Sequence, residues 1–342
     1  MALFVDRKFI LVAAMVLGLY ASQAWARELL ELSMRERHEQ WMARHGRVYK
    51  ADGEKERRFM IFKNNVEFIE SFNENNARPY KLGINGFADL TNDEFKATRN
   101  GYKRSSSVSS SGPKSFRYEN VTAVPSTVDW RQKGAVTPVK EQGQCGCCWA
   151  FSAVAATEGI HQLTTGNLVS LSVQQLVDCD TKGDNRGCAG GFVNAAFKFI
   201  IDNDGLTTED NYPYEAVKGT CDAGQAESPA AKITGYEDVP SNSESALLQA
   251  VANQPVSVAI DADGRHFQFY SGGVFTGDCQ TDLDHGVTVV GYGTSDDGTK
   301  YWLVKNSWGA EWGENGYIRM KRDIDAVEGL CGIAIRAAYP TA

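Results

Sequence analysis

The densest chemistry in the sequence is the stretch Gln142-Gly143-Gln144-Cys145-Gly146-Cys147-Cys148-Trp149-Ala150-Phe151. Its glycines give way to a long helix-forming run, which sets Cys148 near a helix N-terminus. There the positive end of the helix dipole favours a thiolate, the nucleophilic form of the side chain. Taken alone, the stretch has other readings. Cys145 and Cys148 are spaced as a C-x-x-C redox pair, or as half of a zinc site for which no second C-x-x-C or histidine pair follows, or as structural half-cystines. A base must reach hydrogen-bonding distance of the sulfur. Three histidines follow it in the sequence. His161 lies along the same helix, roughly 20 Å away at about 1.5 Å per residue, and is excluded. His285 stands in Leu283-Asp284-His285-Gly286 at the mouth of an apolar strand. His266 lies among Phe267, Phe269 and Tyr270 and suits a packed or surface position equally well. A third group should orient the imidazole. Asn306, in Val304-Lys305-Asn306-Ser307-Trp308-Gly309, follows a second strand, with Trp308 near enough to shield the contact.

These residues need a frame. Residues 148–205 hold helical stretches such as WAFSAVAATEGIHQL and GFVNAAFKFIID, whereas VSVAI, GVTVVGYG, KYWLVKNSW and GYIRMKR within 256–322 read as strands punctuated by glycine. A helical half followed by a β-rich half predicts an α+β fold of two subdomains with a ligand cleft between them. Upstream, residues 28–78 read as helical, with no proline before Pro79. Glu54, Arg58, Phe62, Asn65, Ile69 and Asn73 recur at steps of three or four and share one helix face. On periodicity alone this is an amphipathic helix in which Phe62 and Ile69 bury and Glu54–Arg58 forms an i,i+4 pair worth only a few tenths of a kcal/mol. Gly83, Asn85, Phe87 and Asp89 follow at alternate positions in a glycine-marked bend or strand edge.

The Ser-rich SSSVSSSG at residues 105–112 predicts an exposed, cuttable linker. Asn120-Val121-Thr122 is the single N-x-S/T sequon and marks Asn120 for an N-glycan. At the N-terminus, basic Arg7-Lys8, the apolar run Phe9–Leu19 and Ala24-Trp25-Ala26 are spaced as a signal peptide over residues 1–26. The run is short for a bilayer, and no later run approaches the ~18 apolar residues of a membrane span. Entry into the secretory pathway lets the eight cysteines form disulfides. A net charge of −8 excludes a nucleic-acid binder of the basic-face type. Residues 1–123 carry 20 basic against 15 acidic residues and the remainder 15 against 28, so a basic front should be attracted to an acidic back.

Cys145-Gly146-Cys147-Cys148-Trp149, with His285 137 residues and Asn306 158 residues beyond Cys148, resembles the papain family of cysteine proteases. The face Glu54–Asn73 resembles that family's ERFNIN propeptide motif, Gly83-x-Asn85-x-Phe87-x-Asp89 its GxNxFxD motif, and Val124-Pro125-Ser126-Thr127-Val128-Asp129-Trp130 a mature N-terminus; plant senescence-associated members are the most alike. The resemblance implies a papain-like two-subdomain α+β fold, a helical half and an antiparallel barrel-like half, behind a helical inhibitor propeptide. It divides the chain into a signal peptide (1–26), propeptide (27–104), linker (105–123) and peptidase domain (124–342).

The same resemblance implies that Cys148 is the nucleophile, paired with His285 as thiolate and imidazolium. Asn306 orients His285, Gln142 donates to the oxyanion hole beside the Cys148 backbone N–H, and Trp308 covers the His–Asn contact. Substrate binding falls to Gly146, Gly190, Gly191, Phe192, Val193, Ala259, Leu283, Asp284, Trp308 and Arg336. The first four of Phe192, Val193, Ala259, Leu283 and Arg336 are apolar and imply a hydrophobic P2 preference; Arg336 either reaches solvent or admits an acidic P2 side chain. The implied disulfides are Cys145–Cys188, Cys179–Cys221 and Cys279–Cys331, leaving Cys147 where the family has Ser or Ala, as a small buried residue. No metal or organic cofactor is implied. The expected partners are protein and peptide substrates, the chain's own propeptide and cystatin-type inhibitors. The expected product is a monomeric endopeptidase of a vacuole, a lysosome-like body or the extracellular space. Protonating carboxylates should loosen the basic propeptide, so maturation is expected near about pH 4–5 with a cut between Ser105 and Val124. Two other classes compete: an inactive or inhibitory binding protein of the same fold, and a C-x-x-C thiol oxidoreductase, which leaves His285, Asn306 and the propeptide-like segment without a role.

Overall fold

In a computed structural model, the structure describes residues 31–75, 77–103, 116–277 and 279–342. The expected signal peptide and residues 105–115 of the expected linker lie outside them. The chain divides into two compact units between Phe68 and Ile69.

In the first unit, helix α1 (residues 31–44) packs on the start of α2 (Asp52–Asn73). One break, residues 45–51, interrupts the expected helical run. His38 and Trp41 of α1 meet Phe62 at ring-centroid distances of 5.0 and 5.4 Å. Phe62 is thus buried, as its place on the helical face requires. Arg58 Nε donates to Glu54 Oε1 at 2.7 Å along the same face.

The second unit carries the site. After the last turn of α2 come β1 (Tyr80–Leu82), α3 (Asn92–Arg99) and β2 (Val128–Asp129). The helical region holds α4 (Cys148–Thr165), α5 (Val173–Cys179), α6 (Val193–Asp202) and the single turn α7 (Ala223–Ala226). Then follow β3 (Gly235–Asp238), α8 (Glu244–Asn253), β4 (Val256–Ile260), the short α9 (Arg265–Gln268), β5 (Tyr270–Phe275), β6 (His285–Thr294), β7 (Lys300–Lys305), β8 (Tyr317–Lys321) and β9 (Ala337–Thr341). The strands run in the order β1-β5-β8-β7-β6-β4-β9-β3, with β2 on β6. Pairing between these strands is antiparallel except for β5 with β8, which is parallel. β6 is central, its residues buried along nearly the whole strand, which is why it reads as a continuous apolar run.

Helix α4 has a mean composition that is apolar all round, and it is buried through its first three turns. It packs on β6, and Ser152 Oγ donates to Val287 O at 2.6 Å. At the C-terminal end of β7, buried Lys305 donates to Thr137 O and Oγ1, both at 2.9 Å, and Thr137 Oγ1 donates to Glu158 of α4 at 2.6 Å. Burial lowers the Lys305 ammonium to about 8. The chain ties the end of β7 to the helix that begins at Cys148. The disulfides are Cys145–Cys188, Cys179–Cys221 and Cys279–Cys331.

Candidate active site

Cys148 is the first residue of α4, and Gly166, at φ 78°, closes the helix about five turns later. Strand β6 begins at His285, against the start of that helix. A Cβ at Gly286 would lie 3.3 Å from Cys148 O, a tight contact, so glycine eases the close approach of β6 to the helix start. His285 is fully buried, and its Nε2 lies 2.8 Å from Asn306 Oδ1. Asn306 Oδ1 also accepts from Ser307 N–H at 2.8 Å, which fixes the amide's orientation. The Trp308 ring lies 4.5 Å from the imidazole and keeps water off this contact. Nδ1 is left without a hydrogen-bond partner among the described residues. It is the ring nitrogen available to a thiol. His161 is remote on α4, and the His266 ring packs on Phe72 at 4.9 Å, outside this arrangement.

Gln142 is fully buried and donates to Cys145 O at 2.8 Å and to Arg99 O at 2.9 Å, while its Oε1 accepts from Ser307 Oγ at 2.7 Å. An amide held this firmly can present an N–H to a carbonyl oxygen lying over Cys148. In this structure that carbonyl is the chain's own Arg99.

Residues 99–103 occupy the cleft, and nothing in their composition or periodicity marks them in the sequence. Gly191 N–H donates to Gly101 O at 2.9 Å, Lys103 N–H to Gly191 O at 3.2 Å, and Tyr102 N–H to Asp284 O at 2.8 Å. Gly101 N–H and Gly286 N–H approach the Cys148 sulfur. The segment thus fills the space over the sulfur. Upstream, Gly83 N–H donates to Phe269 O at 2.8 Å and Asn85 Nδ2 to Gln268 O at 2.8 Å. Phe87 and Phe95 set their rings edge-on to Trp308 at 6.0 and 4.9 Å. Asp89 is buried, Asn65 and Ile69 are buried on α2, and Asn73 pairs with both backbone groups of Leu82.

Tyr102 points its ring at Phe192, 6.0 Å away, beside buried Val193 and Ala259. Arg336 is exposed, joined to Ala259 through its carbonyl, and its positive charge acts on the Tyr102 phenol. Leu283 is half-buried. Gly146 and Gly190 abut the same segment: a Cβ on Gly146 would meet Cys188 O at 2.8 Å, and Gly190 sits at φ 99°.

Burial sets the charge states. It pushes the Cys148 thiol up to about 11 and the His285 imidazole down to about 4. Both shifts run against charge separation while the segment covers the pair, because burial penalises the charged forms. Asp284 is raised to about 7 by burial, although Asn100 Nδ2 (2.6 Å) and Ala262 N–H (3.0 Å) both donate to its carboxylate. Asp261, Asp263 and Asp284 bring carboxylate oxygens within 4.8 Å of one another, the spacing of a metal site among the described residues. Their oxygens are engaged instead by Lys96, Asn100 and backbone N–H groups. Buried Cys147 contacts Tyr214 Oη at 3.0 Å, and that hydroxyl donates to Gln142 O at 2.7 Å. Burial raises the Cys147 thiol far above its ordinary range, so it stays protonated and inert.

Comparison with known proteins agrees with this arrangement. Residues 124–341 match the papain family cysteine proteases, and residues 38–95 match the cathepsin propeptide inhibitor domain I29. The chain is 60% identical over 320 residues to the senescence-specific cysteine protease SAG39 of Oryza sativa subsp. indica, covering 93% of each. It is 56% identical to the senescence-specific cysteine protease SAG12 of Arabidopsis thaliana, covering 91% of each. Among solved structures, a recombinant stem bromelain precursor superposes with a TM-score of 0.84 at 50% identity, over 90% of this chain and 99% of that one. The proform of the ragweed pollen allergen Amb a 11 gives 0.83 at 45% identity, over 90% and 94%. A thiol at a helix start, a buried imidazole–amide pair and a cleft filled from within define a cysteine protease held as its zymogen. The chain belongs to the papain family and carries the family's inhibitory propeptide ahead of its peptidase domain.

Proposed function

We propose that Cys148, His285, Asn306 and Gln142 are the catalytic set of a secreted or vacuolar endopeptidase. The observation that carries this is the seating of Arg99 O on Gln142 with Gly101 N–H at the Cys148 sulfur: the propeptide occupies the positions a scissile peptide would need. When it leaves, water reaches the pair. A proton passes from Cys148 to His285 Nδ1, and Asn306 holds the resulting imidazolium through Nε2–H. The thiolate attacks the scissile carbonyl carbon, whose oxygen takes donors from Gln142 Nε2 and the Cys148 N–H. His285 returns the proton to the leaving amine, and water then releases the acyl group from sulfur.

The peptidase domain starts at Val124, and the propeptide ends in the Ser-rich stretch of the sequence. Phe192, Val193, Ala259 and Leu283 form an apolar wall that favours hydrophobic P2 side chains, with Arg336 at its rim. The mature enzyme works as a monomer in an acidic vacuole-like compartment or outside the cell, is open to cystatin-type inhibitors, and serves protein breakdown in senescence, as the names of its relatives suggest. The test is hydrolysis of a Phe-Arg fluorogenic peptide at mildly acid pH with thiol present, followed by gel. Wild type should shorten and turn active, and Cys148→Ala should do neither. Wild type that stays inactive after the Ser-rich stretch is cut by an added protease would sink the proposal.

A further inference from the structure

Residues 116–121 lie on a surface of their own, away from the cleft. Phe116 is buried, and its ring and that of Tyr118 meet Tyr339 at 6.3 and 5.2 Å. Tyr118 Oη donates to Gln254 Oε1 at 2.9 Å, and Gln254 is fully buried. Arg117 pairs with Glu237 at 3.3 Å and donates its backbone N–H to the same carboxylate at 3.1 Å. Glu237 is itself held by Tyr339 Oη at 2.6 Å, and Gln249 Nε2 donates to Val121 O at 2.9 Å. Two successive turns, Glu119 N–H to Phe116 O and Val121 N–H to Tyr118 O, give the segment its own shape. The surface is thus made by β3, α8 and β9, and it recognises an aromatic–basic–aromatic run.

The chain just beyond is pinned as well. Tyr292 Oη donates to Pro125 O at 3.0 Å, and Thr127 Oγ1 donates to Tyr292 O at 3.0 Å. Tyr292 stands on β6 seven positions from His285, roughly 20 Å along the strand at about 3.3 Å per residue. The Ala123–Val124 bond is therefore held on both sides, far from Cys148 of its own molecule.

We infer that residues 116–123 form an anchored arm, seated on a dedicated surface of Glu237, Gln249, Gln254 and Tyr339, which stays on the peptidase after the inhibitory segment has gone. The inference rests on the self-maturing reading above. Maturation then has two stages. A cut within residues 105–115 frees the cleft and leaves an active enzyme bearing the arm. Val124 is reached by a second cut, in which Cys148 of another molecule takes the Ala123 acyl group. Water releases it, leaving a carboxylate on Ala123 and an amine on Val124.

The test follows the N-terminus by intact mass during activation of the full-length zymogen over a hundredfold range of concentration. Wild type should first accumulate an active form that begins upstream of Phe116, and its conversion to Val124 should speed up in proportion to concentration. In the Phe116→Ala/Tyr118→Ala variant that conversion should be at least several-fold faster, with hydrolysis of a small reporter unchanged. A first active product that already begins at Val124, formed at a rate independent of concentration, overturns the inference. So does a variant trimmed no faster than wild type. A parallel arm uses the Cys148→Ala zymogen with an added protease, where residues 116–123 should outlast the Ser-rich stretch. Loss of both at one rate overturns the anchored arm even if the chain is active; survival of the arm in a chain that never self-processes overturns only the self-maturing reading.

Discussion

Replacing Gly101 by alanine should release the propeptide's grip while leaving the mature enzyme untouched. A Cβ on Gly101 would fall inside the Gly146 carbonyl and 2.7 Å from Gly146 Cα. Carbon atoms pack at about 3.5–4.0 Å, so the segment must retreat by about 1 Å. Its obstacle is backbone, held by the Gly146 N–H to Cys188 O bond and by the Cys145–Cys188 disulfide, so the peptidase cannot yield. Retreat loosens three backbone hydrogen bonds: Gly191 N–H to Gly101 O, Tyr102 N–H to Asp284 O, and Lys103 N–H to Gly191 O. At about 0.5–1.5 kcal/mol each the loss is roughly 2–4 kcal/mol, or about 30–1000-fold in the population of uncovered cleft. The assay is the rate of alkylation of Cys148 in intact zymogen at neutral pH, because the reagent reaches sulfur only when the segment lifts. Buried Cys147 serves as the unreactive control. After maturation residue 101 is gone, so kcat/KM should equal that of wild type. Alkylation within threefold of wild type would refute the reasoning and move the inhibitory contact elsewhere.

Other outcomes follow from the same geometry. Asp284 has a raised pKa in the covered form, so its burial carries no penalty in acid and a growing one as pH rises from about 4 to about 7. On a Cys148→Ala background, Asp284→Asn should leave the melting temperature unchanged near the bottom of that range and raise it at neutral pH, with an upper limit of about 4 kcal/mol. Equal effects at both ends would contradict this. The sign also means that Asp284 favours covering in acid. Asn306→Ala strands the buried imidazole N–H and should cut kcat/KM by about 10–100-fold, with KM nearly constant; steady-state kinetics at several pH values would check it. Arg336→Ala should lower kcat/KM for P2-Glu peptides by about fivefold and leave P2-Leu peptides alone, since an exposed pair is worth about 1 kcal/mol; equal loss on both would dismiss a role for Arg336 in selection.

Much of the frame could be read directly from residue patterns. α4, α6, β4, β6, β7 and β8 are long apolar or periodic runs, and they carry the sequence's own punctuation. β5 was hidden by its glycines and β9 by Pro340, since both strands are defined by partners remote in sequence. Cys148, His285 and Asn306 were legible as candidates because each stands at the end of a recognisable element, but spacing left His266 open and the resemblance to the papain family made the choice. The occupant of the cleft was not legible. Residues 99–103 bind largely through backbone groups, which leave no mark in side-chain pattern, and the side-chain contacts of Asn100 and Tyr102 are to residues remote in sequence. The shifts at Cys148 and His285 were illegible too, because they follow from burial and not from residue type. Cys147 likewise depends on Tyr214, 67 positions away.

The arm at residues 116–121 turns its rings and its guanidinium to the protein and leaves Asn120 exposed. That asparagine heads the one sequon in the chain. A sugar attached there would ride on a part that maturation discards. It could serve the protein while it folds and travels, as a label read by lectins, and be shed at the step that makes Val124 the first residue. Lectin retention would then separate the young enzyme from the finished one without reference to activity, and the disappearance of the sugar would time the final cut inside a living cell.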